Sequence, residues 1–142
     1  MAALPTGTVT FLFTDVEGSS RLWEEFPDAM QDALARHDVI VREAIESHDG
    51  QVVKTTGDGF HAAFGTASAA VEAAIDAQLG LASGSWSETG PVRVRMGVHT
   101  GAAEIRDGDY YGTTLNRAAR LMSVGHGGQV LASGATSELL RG

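Results

Sequence analysis

Two aspartates near the ends of predicted strands are the side chains best suited to chemistry. Asp15 follows an alternating apolar segment, and Asp58 lies in the turn between two further strand-like segments. If the strand before Asp15 pairs with that hairpin, both carboxylates lie at one edge of the sheet and repel each other unless a cation neutralises them. Such a pair suits Mg²⁺ or Mn²⁺, and a two-metal phosphoryl-transfer site requires ligands of this kind.

Each aspartate also has an ordinary interpretation. Asp15 can cap the following helix, and Asp58 belongs to an Asp-Gly sequence of the kind that is common in hairpin turns. The segment Gly18-Ser19-Ser20 opens a predicted helix whose backbone N–H groups are suited to bind an anion. These three residues are therefore candidate substrate-binding residues, although a turn of small residues is equally a plain connection.

A second set of polar residues comes from other parts of the chain. Asn116 and Arg120 are four residues apart in a predicted helix and share one face. An amide can orient a sugar oxygen and a guanidinium can stabilise charge on a phosphoryl group, but an exposed pair of this type is more commonly solvated surface. Lys54 and Asp109 become meaningful if both reach one ligand, where a donor and an acceptor favour adenine over guanine.

The elements that must position these residues alternate between strands and helices. Strands are predicted at residues 8–14, 51–55, 60–64, 92–98, 102–105 and 129–132, and helices at 19–26, 27–47, 67–82 and 114–123, with a last turn capped by Ser133. Residues 106–112 are predicted to be a polar loop, and Val71, Ile75 and Leu79 repeat every fourth residue of the third helix. The order predicts an α+β domain with a mostly antiparallel sheet and helices packed on one face.

The length, charge and composition of the chain exclude several classes of function. A length of 142 residues is that of one domain, and the formal charge of −8 argues against binding to nucleic acid or to an anionic membrane. The sequence has no cysteine and no long apolar segment, and its first residues lack the basic start of a secretory signal, so a cytoplasmic location is expected. His37, His61 and His99 have no metal-ligand spacing and are predicted to be structural.

Four segments carry a specific resemblance to a known family. They are Phe11-Leu12-Phe13-Thr14-Asp15-Val16-Glu17-Gly18-Ser19-Ser20, Lys54-Thr55-Thr56-Gly57-Asp58-Gly59-Phe60, Gly97-Val98-His99-Thr100-Gly101 and Tyr111-Gly112-Thr113-Thr114-Leu115-Asn116-Arg117-Ala118-Ala119-Arg120-Leu121. In this order they resemble the class III nucleotidyl cyclase catalytic domain over residues 6–135, and the bacterial, especially actinobacterial, members most. The resemblance implies a ferredoxin-like cyclase fold in a single domain, residues 1–142.

The resemblance also implies a reaction and its cofactors. Asp15 and Asp58 match the two metal-binding aspartates, and the carbonyl group of Val16 matches the backbone metal ligand. Two ions, Mg²⁺ or Mn²⁺, are expected in each active site. The implied activity is that of an adenylate cyclase, in which the 3′ oxygen of ATP attacks the α-phosphorus and pyrophosphate leaves.

The nucleotide-binding residues are implied in the same way. Lys54 and Asp109 match the pair that recognises adenine, Asn116 the residue that orients the ribose, and Arg120 the arginine that stabilises the transition state. In this family the site lies between two subunits arranged head to tail, so one chain supplies the metal ligands and its partner supplies the other four residues. ATP and a second copy of the chain are the expected partners.

The chain departs from the family pattern at its end. Relatives continue through two more strands and a lysine that contacts the β- and γ-phosphates, whereas no lysine follows Lys54 here. The expected sheet therefore lacks the C-terminal hairpin, and the domain is interpreted as shortened, with regulatory domains outside the sequence. A catalytically weak or silent cyclase-like module that binds nucleotide is the alternative to an active adenylate cyclase; a polymerase-like transferase ranks last because it lacks a basic track.

Overall fold

The centre of the structure is the long strand β1, Gly7–Val16, which is paired antiparallel on both sides. The structure is a computed structural model that describes residues 4–86 and 88–141. Residues 1–3 lie outside that range, so the expectation that the N-terminus is not a secretory signal falls partly on residues that are not described. The sheet also contains β2 (Gln51–Thr55), β3 (Phe60–Phe64), β4 (Val94–Arg106), β5 (Asp109–Tyr111) and β6 (Val130–Ala132). Its order is β2-β3-β1-β4-β5, and β6 pairs parallel with β4.

The described part of the chain contains five helices, which follow the predicted order. They are α1 (Ser19–Glu25), α2 (Pro27–Ser47), α3 (Ala67–Ser83), α4 (Thr113–Ser123) and α5 (Gly134–Leu140). Pro27 occupies the first turn of α2, where its missing N–H costs nothing, and Ser133 caps α5 by accepting a hydrogen bond from the Thr136 amide. The predicted α+β class, the mostly antiparallel sheet and most element boundaries are therefore confirmed.

Apolar residues cover both faces of the sheet, so the expectation that helices pack on one face is wrong. Alternate residues of β1 point to opposite faces. Leu12 belongs to the larger core under α2 and α3, whereas Phe11 and Phe13 belong to a second core with Ala118 of α4. The sheet therefore lies between two helical layers. The second layer is formed by α4, which also carries Asn116 and Arg120.

The buried face of α3 is not formed by its repeating large residues. Ile75 and Leu79 are 47% and 64% exposed, and the buried residues are instead Ala67, Ala70, Ala73, Ala74, Ala77 and Leu81. Small side chains let a helix approach its neighbours closely, because a larger residue would clash in a densely packed interior. Of the three repeating large residues, Val71 is partly buried against the core, and Ile75 and Leu79 lie on the exposed side of the helix.

Strand β4 is longer than the sequence predicts. Thr100 and Gly101 were expected to form a turn between two strands, but they lie inside one continuous strand that pairs with β1 from Val94 to Ala103. The far end of β4 forms a hairpin with β5, so part of the segment predicted as a loop is a strand. The first change follows from long-range pairing with β1, which local residue preferences do not encode, and the second from the pairing of Glu104–Arg106 with β5. No helix within residues 4–86 and 88–141 is long and apolar enough to cross a membrane.

Candidate functional site

The antiparallel pairing of β1 with β3 brings Asp15 and Asp58 to the same end of neighbouring strands. Thr14 is paired with Phe60, and the Phe60 amide donates a 3.0 Å hydrogen bond to the buried Thr14 hydroxyl. Asp15 immediately follows Thr14, and Asp58 lies in the turn that leads into β3. The two carboxylates therefore share one edge of the sheet, as the sequence predicts.

Gly59 allows the turn that carries Asp58 to lie close to β1. A methyl group at Gly59 would lie 2.1 Å from the Thr14 carbonyl oxygen, which is far inside van der Waals contact. Gly59 is also buried, so the turn cannot move outward without breaking the Phe60–Thr14 hydrogen bond. A glycine at this position thus fixes the turn that carries Asp58 against the strand that carries Asp15.

Arg95 of β4 is paired with Asp15 across the other side of β1, and it binds the Asp15 carboxylate. Its Nε donates to Oδ1 at 2.7 Å, and its Nη2 donates to Oδ2. The side chains are 27% and 21% exposed, so the ion pair is largely shielded from water. The pKa of Arg95 is raised, chiefly by this hydrogen bond, and the charges of Asp15, Glu17 and Asp58 add to the effect against the opposing influence of burial.

Sequence reasoning missed the contact with Arg95. The alternation of residues 92–98 placed Arg95 on the polar side of its strand, but only the register with β1 sets it beside Asp15. The negative charges of Asp15 and Asp58 both raise the pKa of Arg95, in keeping with their position at one edge of the sheet.

The donor chemistry of this edge fits a hard divalent cation. Asp15 and Asp58 are half-buried carboxylates, and Val16 is the last residue of β1, paired with Val94. No group of three or more histidine, aspartate or glutamate side chains in the described parts of the chain is arranged to hold a metal ion. Mg²⁺ is commonly bound by one or two carboxylates together with substrate phosphates, so two aspartates are a sufficient protein contribution.

The predicted anion-binding segment follows the acidic edge directly. Gly18 adopts a left-handed conformation with φ 68° and precedes α1, which is seven residues long and begins at Ser19. No side chain caps this helix, and Ser20 lies in its first turn. The Glu17 carboxylate accepts a 2.7 Å hydrogen bond from the Gly127 amide, which ties this segment to the loop before β6. Phosphate binding by residues 18–20 stays a prediction.

Lys54 faces a pocket because the pairing of β2 with β3 contains a bulge. Val52 is paired with Ala62, so regular pairing would place Lys54 opposite Phe60. The register instead shifts between Val52 and Lys54, and Lys54 lies opposite His61. Val53 and Lys54 therefore both line the same pocket, although consecutive residues in a regular strand point to opposite faces.

The pocket brings together three of the predicted nucleotide-binding residues. It has a volume of about 590 Å³ and lies between the sheet and α4. Its lining includes Lys54, Asp109 and Asn116, together with aromatic and apolar side chains. Asp109 accepts a 2.9 Å hydrogen bond from the Tyr110 amide, which holds its carboxylate at the start of β5. Asp15 and Asp58 do not line this pocket.

The position of α4 sets the positions of Asn116 and Arg120. A methyl group at Gly97 would lie 2.7 Å from the Met122 backbone nitrogen, so this glycine permits close contact between β4 and the end of α4. At the other end, the Thr114 hydroxyl donates a 2.5 Å hydrogen bond to the Ala102 carbonyl. Asn116 and Arg120 are exposed on the helix, and Arg120 lies one turn beyond Asn116, outside the residues that line the pocket.

His61 also lines the pocket, although the sequence indicated only a structural role. Its ring stacks on Phe13, with 3.7 Å between the ring centroids and 3° between the planes. Burial lowers the pKa of His61, the positive charge of Lys54 lowers it further, and the charge of Asp109 opposes the shift. Nothing in the sequence indicated that His61 lines a pocket. Its spacing from the other histidines matches no metal site, and its stacking on Phe13 depends on strand register.

Comparison with known proteins identifies the family of this chain. The chain belongs to the family of adenylate and guanylate cyclase catalytic domains, whose family model matches residues 1–142. The resemblance to class III nucleotidyl cyclases is thereby confirmed. An uncharacterized protein of Mycobacterium tuberculosis is 46% identical over 140 residues, covering 97% of this chain and 47% of that protein. A receptor-type adenylate cyclase of Trypanosoma brucei brucei is 37% identical over 180 residues, covering 97% of this chain and 15% of that protein.

Solved structures confirm the fold. An adenylate cyclase of Trypanosoma brucei in its monomeric state has a TM-score of 0.90 and 34% identity, over 96% of this chain and 78% of that one. An adenylate/guanylate cyclase/hydrolase from Silicibacter pomeroyi has a TM-score of 0.80 and 29% identity, over 94% and 79% of the two chains. The chain spans about half the length, or less, of the curated relatives described above.

Proposed function

We propose that this chain forms the active site of an adenylate cyclase, which converts ATP into 3′,5′-cyclic AMP and pyrophosphate. The observation that carries the proposal is the shared pocket of Lys54, Asp109 and Asn116, with the acidic pair Asp15 and Asp58 held at one strand edge. A lysine donor and an aspartate acceptor suit the polar edge of adenine. The receptor-type adenylate cyclases among the relatives support the same substrate.

The acidic edge holds the cations in this proposal. Asp15 and Asp58 would hold two Mg²⁺ or Mn²⁺ ions, with the Val16 carbonyl as a further ligand. When bound, such ions polarise phosphoryl oxygens and lower the pKa of a hydroxyl group. To be free for this role, the Asp15 carboxylate must exchange its hydrogen bonds with Arg95 for contacts with a cation.

The reaction exchanges one bond at the α-phosphorus for another. The ribose 3′ oxygen forms a bond to the α-phosphorus and gives up its proton to solvent water, the bond from the α-phosphorus to the bridging oxygen breaks, and pyrophosphate leaves with that electron pair. Asn116 orients the ribose, and Arg120 stabilises charge that develops on the phosphoryl oxygens. The segment Gly18-Ser19-Ser20 binds phosphate oxygens through its backbone amides.

A second copy of the chain completes the site. The base pocket of one chain is not lined by Asp15 or Asp58, so a nucleotide that fills it needs metal ligands from elsewhere. We propose a head-to-tail homodimer in which each active site takes Asp15, Val16 and Asp58 from one protomer. The other protomer supplies the remaining residues, Lys54, Asp109, Asn116 and Arg120.

The direct test is formation of cyclic AMP from ATP in the presence of Mn²⁺. The parent chain and the Asp32→Ala control, an exposed position on α2, should form product, whereas Asp58→Ala should not. Mixing folded Asp58→Ala and Asn116→Ala chains should restore part of the activity, because one of the two sites in a mixed dimer has no substitution. A dimeric mixture that stays inactive would reject the shared site, and a folded, dimeric parent without product would reject the enzyme.

The Arg95–Asp15 ion pair favours one other function. If Arg95 keeps the Asp15 carboxylate in the presence of Mn²⁺, the chain binds nucleotide without turning it over and serves as a regulatory module. The two functions differ in one measurement. A silent module binds 3′-deoxy-ATP, which cannot cyclise, and yields no cyclic AMP from ATP under the same conditions.

A further inference from the structure

The side chain of His61 presents hydrogen-bonding groups that residues 4–86 and 88–141 do not use. Its ring is fixed by stacking on Phe13 and lies opposite Lys54 in the β2–β3 pairing. Within the described chain, neither ring nitrogen of His61 forms a hydrogen bond, whereas His99 is bonded to Ser133 at 2.7 Å. His61 lines the pocket, and its two ring nitrogens are available to a ligand.

The neighbours of His61 indicate which ligand group these nitrogens meet. The pocket wall around it combines Lys54, Asp109 and the aromatic rings of Phe11 and Phe13. A flat, largely apolar wall with a few polar groups is suited to a heterocyclic base, since aromatic faces stack on it and polar groups bind its edge. A phosphate group would instead require several donors and little aromatic surface.

We propose that His61 is a third base-binding residue, which donates or accepts a hydrogen bond at the purine ring alongside Lys54 and Asp109. The proposal rests on the proposed function, because it assigns a residue to the same nucleotide site. A neutral imidazole has one donor and one acceptor, so it can complement a heterocycle that offers both kinds of group. Stacking on Phe13 holds the ring plane in place, which reduces the entropy lost when the base binds.

Two substitutions separate base binding from a purely structural role. His61→Phe keeps an aromatic ring for stacking on Phe13 and removes both nitrogens. Binding of 3′-deoxy-ATP with Mn²⁺, measured by calorimetry, should weaken about five- to tenfold, which is the effect of losing one hydrogen bond. Binding of inorganic triphosphate, which has no base, should be the same for the variant and the parent.

A size-matched pair covers the case in which His61→Phe does not fold. His61→Gln retains hydrogen-bonding groups and His61→Met does not, so the glutamine variant should bind 3′-deoxy-ATP more tightly than the methionine variant. Equal binding of 3′-deoxy-ATP by the parent and by folded His61→Phe, or by the Gln and Met variants, would overturn the role of His61 alone. Failure of the parent to bind 3′-deoxy-ATP would reject the proposed function and this inference together.

Discussion

Arg95 and Asp15 face each other across β4 and β1, and the guanidinium donates to both carboxylate oxygens of the aspartate. The charge of Asp58 also acts on Arg95. A protein cation thus lies where the proposed function requires metal ions. A divalent ion must compete with Arg95 for the Asp15 carboxylate, and this competition sets the affinity of the site for metal.

Replacing Arg95 should strengthen metal binding. In Arg95→Gln a positive charge next to the acidic edge is lost and Asp15 is released, so we expect the affinity for Mn²⁺ to rise by about tenfold or more. Calorimetric titration with Mn²⁺ measures this directly. Arg106→Gln is the matched control, because its ion pair with Glu104 is long, at 3.7 Å, and both side chains are over 70% exposed. Weaker Mn²⁺ binding by Arg95→Gln would mean that Arg95 positions Asp15 for the metal.

A methyl group at Gly59 should separate the turn from β1. Gly59→Ala places its Cβ 2.1 Å from the Thr14 carbonyl, so we expect the free energy of unfolding to fall by about 2–3 kcal/mol. Gly65→Ala, at the other end of β3, meets no atom within 4 Å and should leave stability nearly unchanged. Denaturant unfolding of the two variants compares them under one condition. Similar midpoints for both would show that the turn is not held where the structure places it.

Reversing the polar pair of the base pocket should reduce use of ATP. In the double variant Lys54→Glu with Asp109→Gly, the donor becomes an acceptor and the acceptor is lost, so adenine no longer finds complementary groups. We expect kcat/KM for ATP to fall by about a hundredfold, the effect of two lost hydrogen bonds with unpaired groups. Glu104→Gln, an exposed substitution on β4, is the control. Unchanged turnover of ATP in the double variant would remove Lys54 and Asp109 from base recognition.

Loss of Arg120 should affect the rate more than binding. If its guanidinium interacts with charge that develops during the reaction, Arg120→Ala lowers kcat and leaves KM for ATP close to the parent value. We expect a fall in kcat of about a hundredfold or more, as for removal of one charge-stabilising donor. Steady-state kinetics with Arg106→Ala as control tests this. A variant with a higher KM and the kcat of the parent would indicate substrate binding instead.

Stability should decrease as the pH falls through the titration range of His61. Its pKa lies below the ordinary value of 6.5, mainly because of burial, so the folded chain binds fewer protons than the unfolded chain between the two pKa values. The stabilising effect is therefore complete above pH 6.5 and is lost as the pH falls toward the lowered pKa. Thermal unfolding of the parent from neutral to mildly acidic pH should show a steeper decline than that of His61→Phe. Parallel curves would contradict the shift.

The sequence predicted the parts of this fold that local patterns encode. The helices, most strands and the common edge of Asp15 and Asp58 follow from hydrophobic periodicity, turn residues and one strand pairing. The extent of β4, the contact of Arg95 with Asp15 and the stacking of His61 on Phe13 depend on register between strands. Register is set by the whole sheet, so residues distant in the sequence determine these contacts.

The buried side of α3 was not evident from the repeat of its large residues, for a different physical reason. A helix that packs closely against neighbours uses alanine on its buried side, and the pattern of large residues then reports the opposite side. Exposed Ile75 and Leu79 show the result. The side of α3 that faces the core is decided by the volume of its side chains as well as by their hydrophobicity.

The bulge in β2 has an evolutionary consequence. A regular strand commits adjacent residues to opposite sides, so any two groups on one wall must be separated by a residue that serves the other side. Here Val53 and Lys54 are adjacent and share a wall. A substitution at Val53 can therefore change the apolar part of that wall, and a substitution at Lys54 its charged part, each independently of the other.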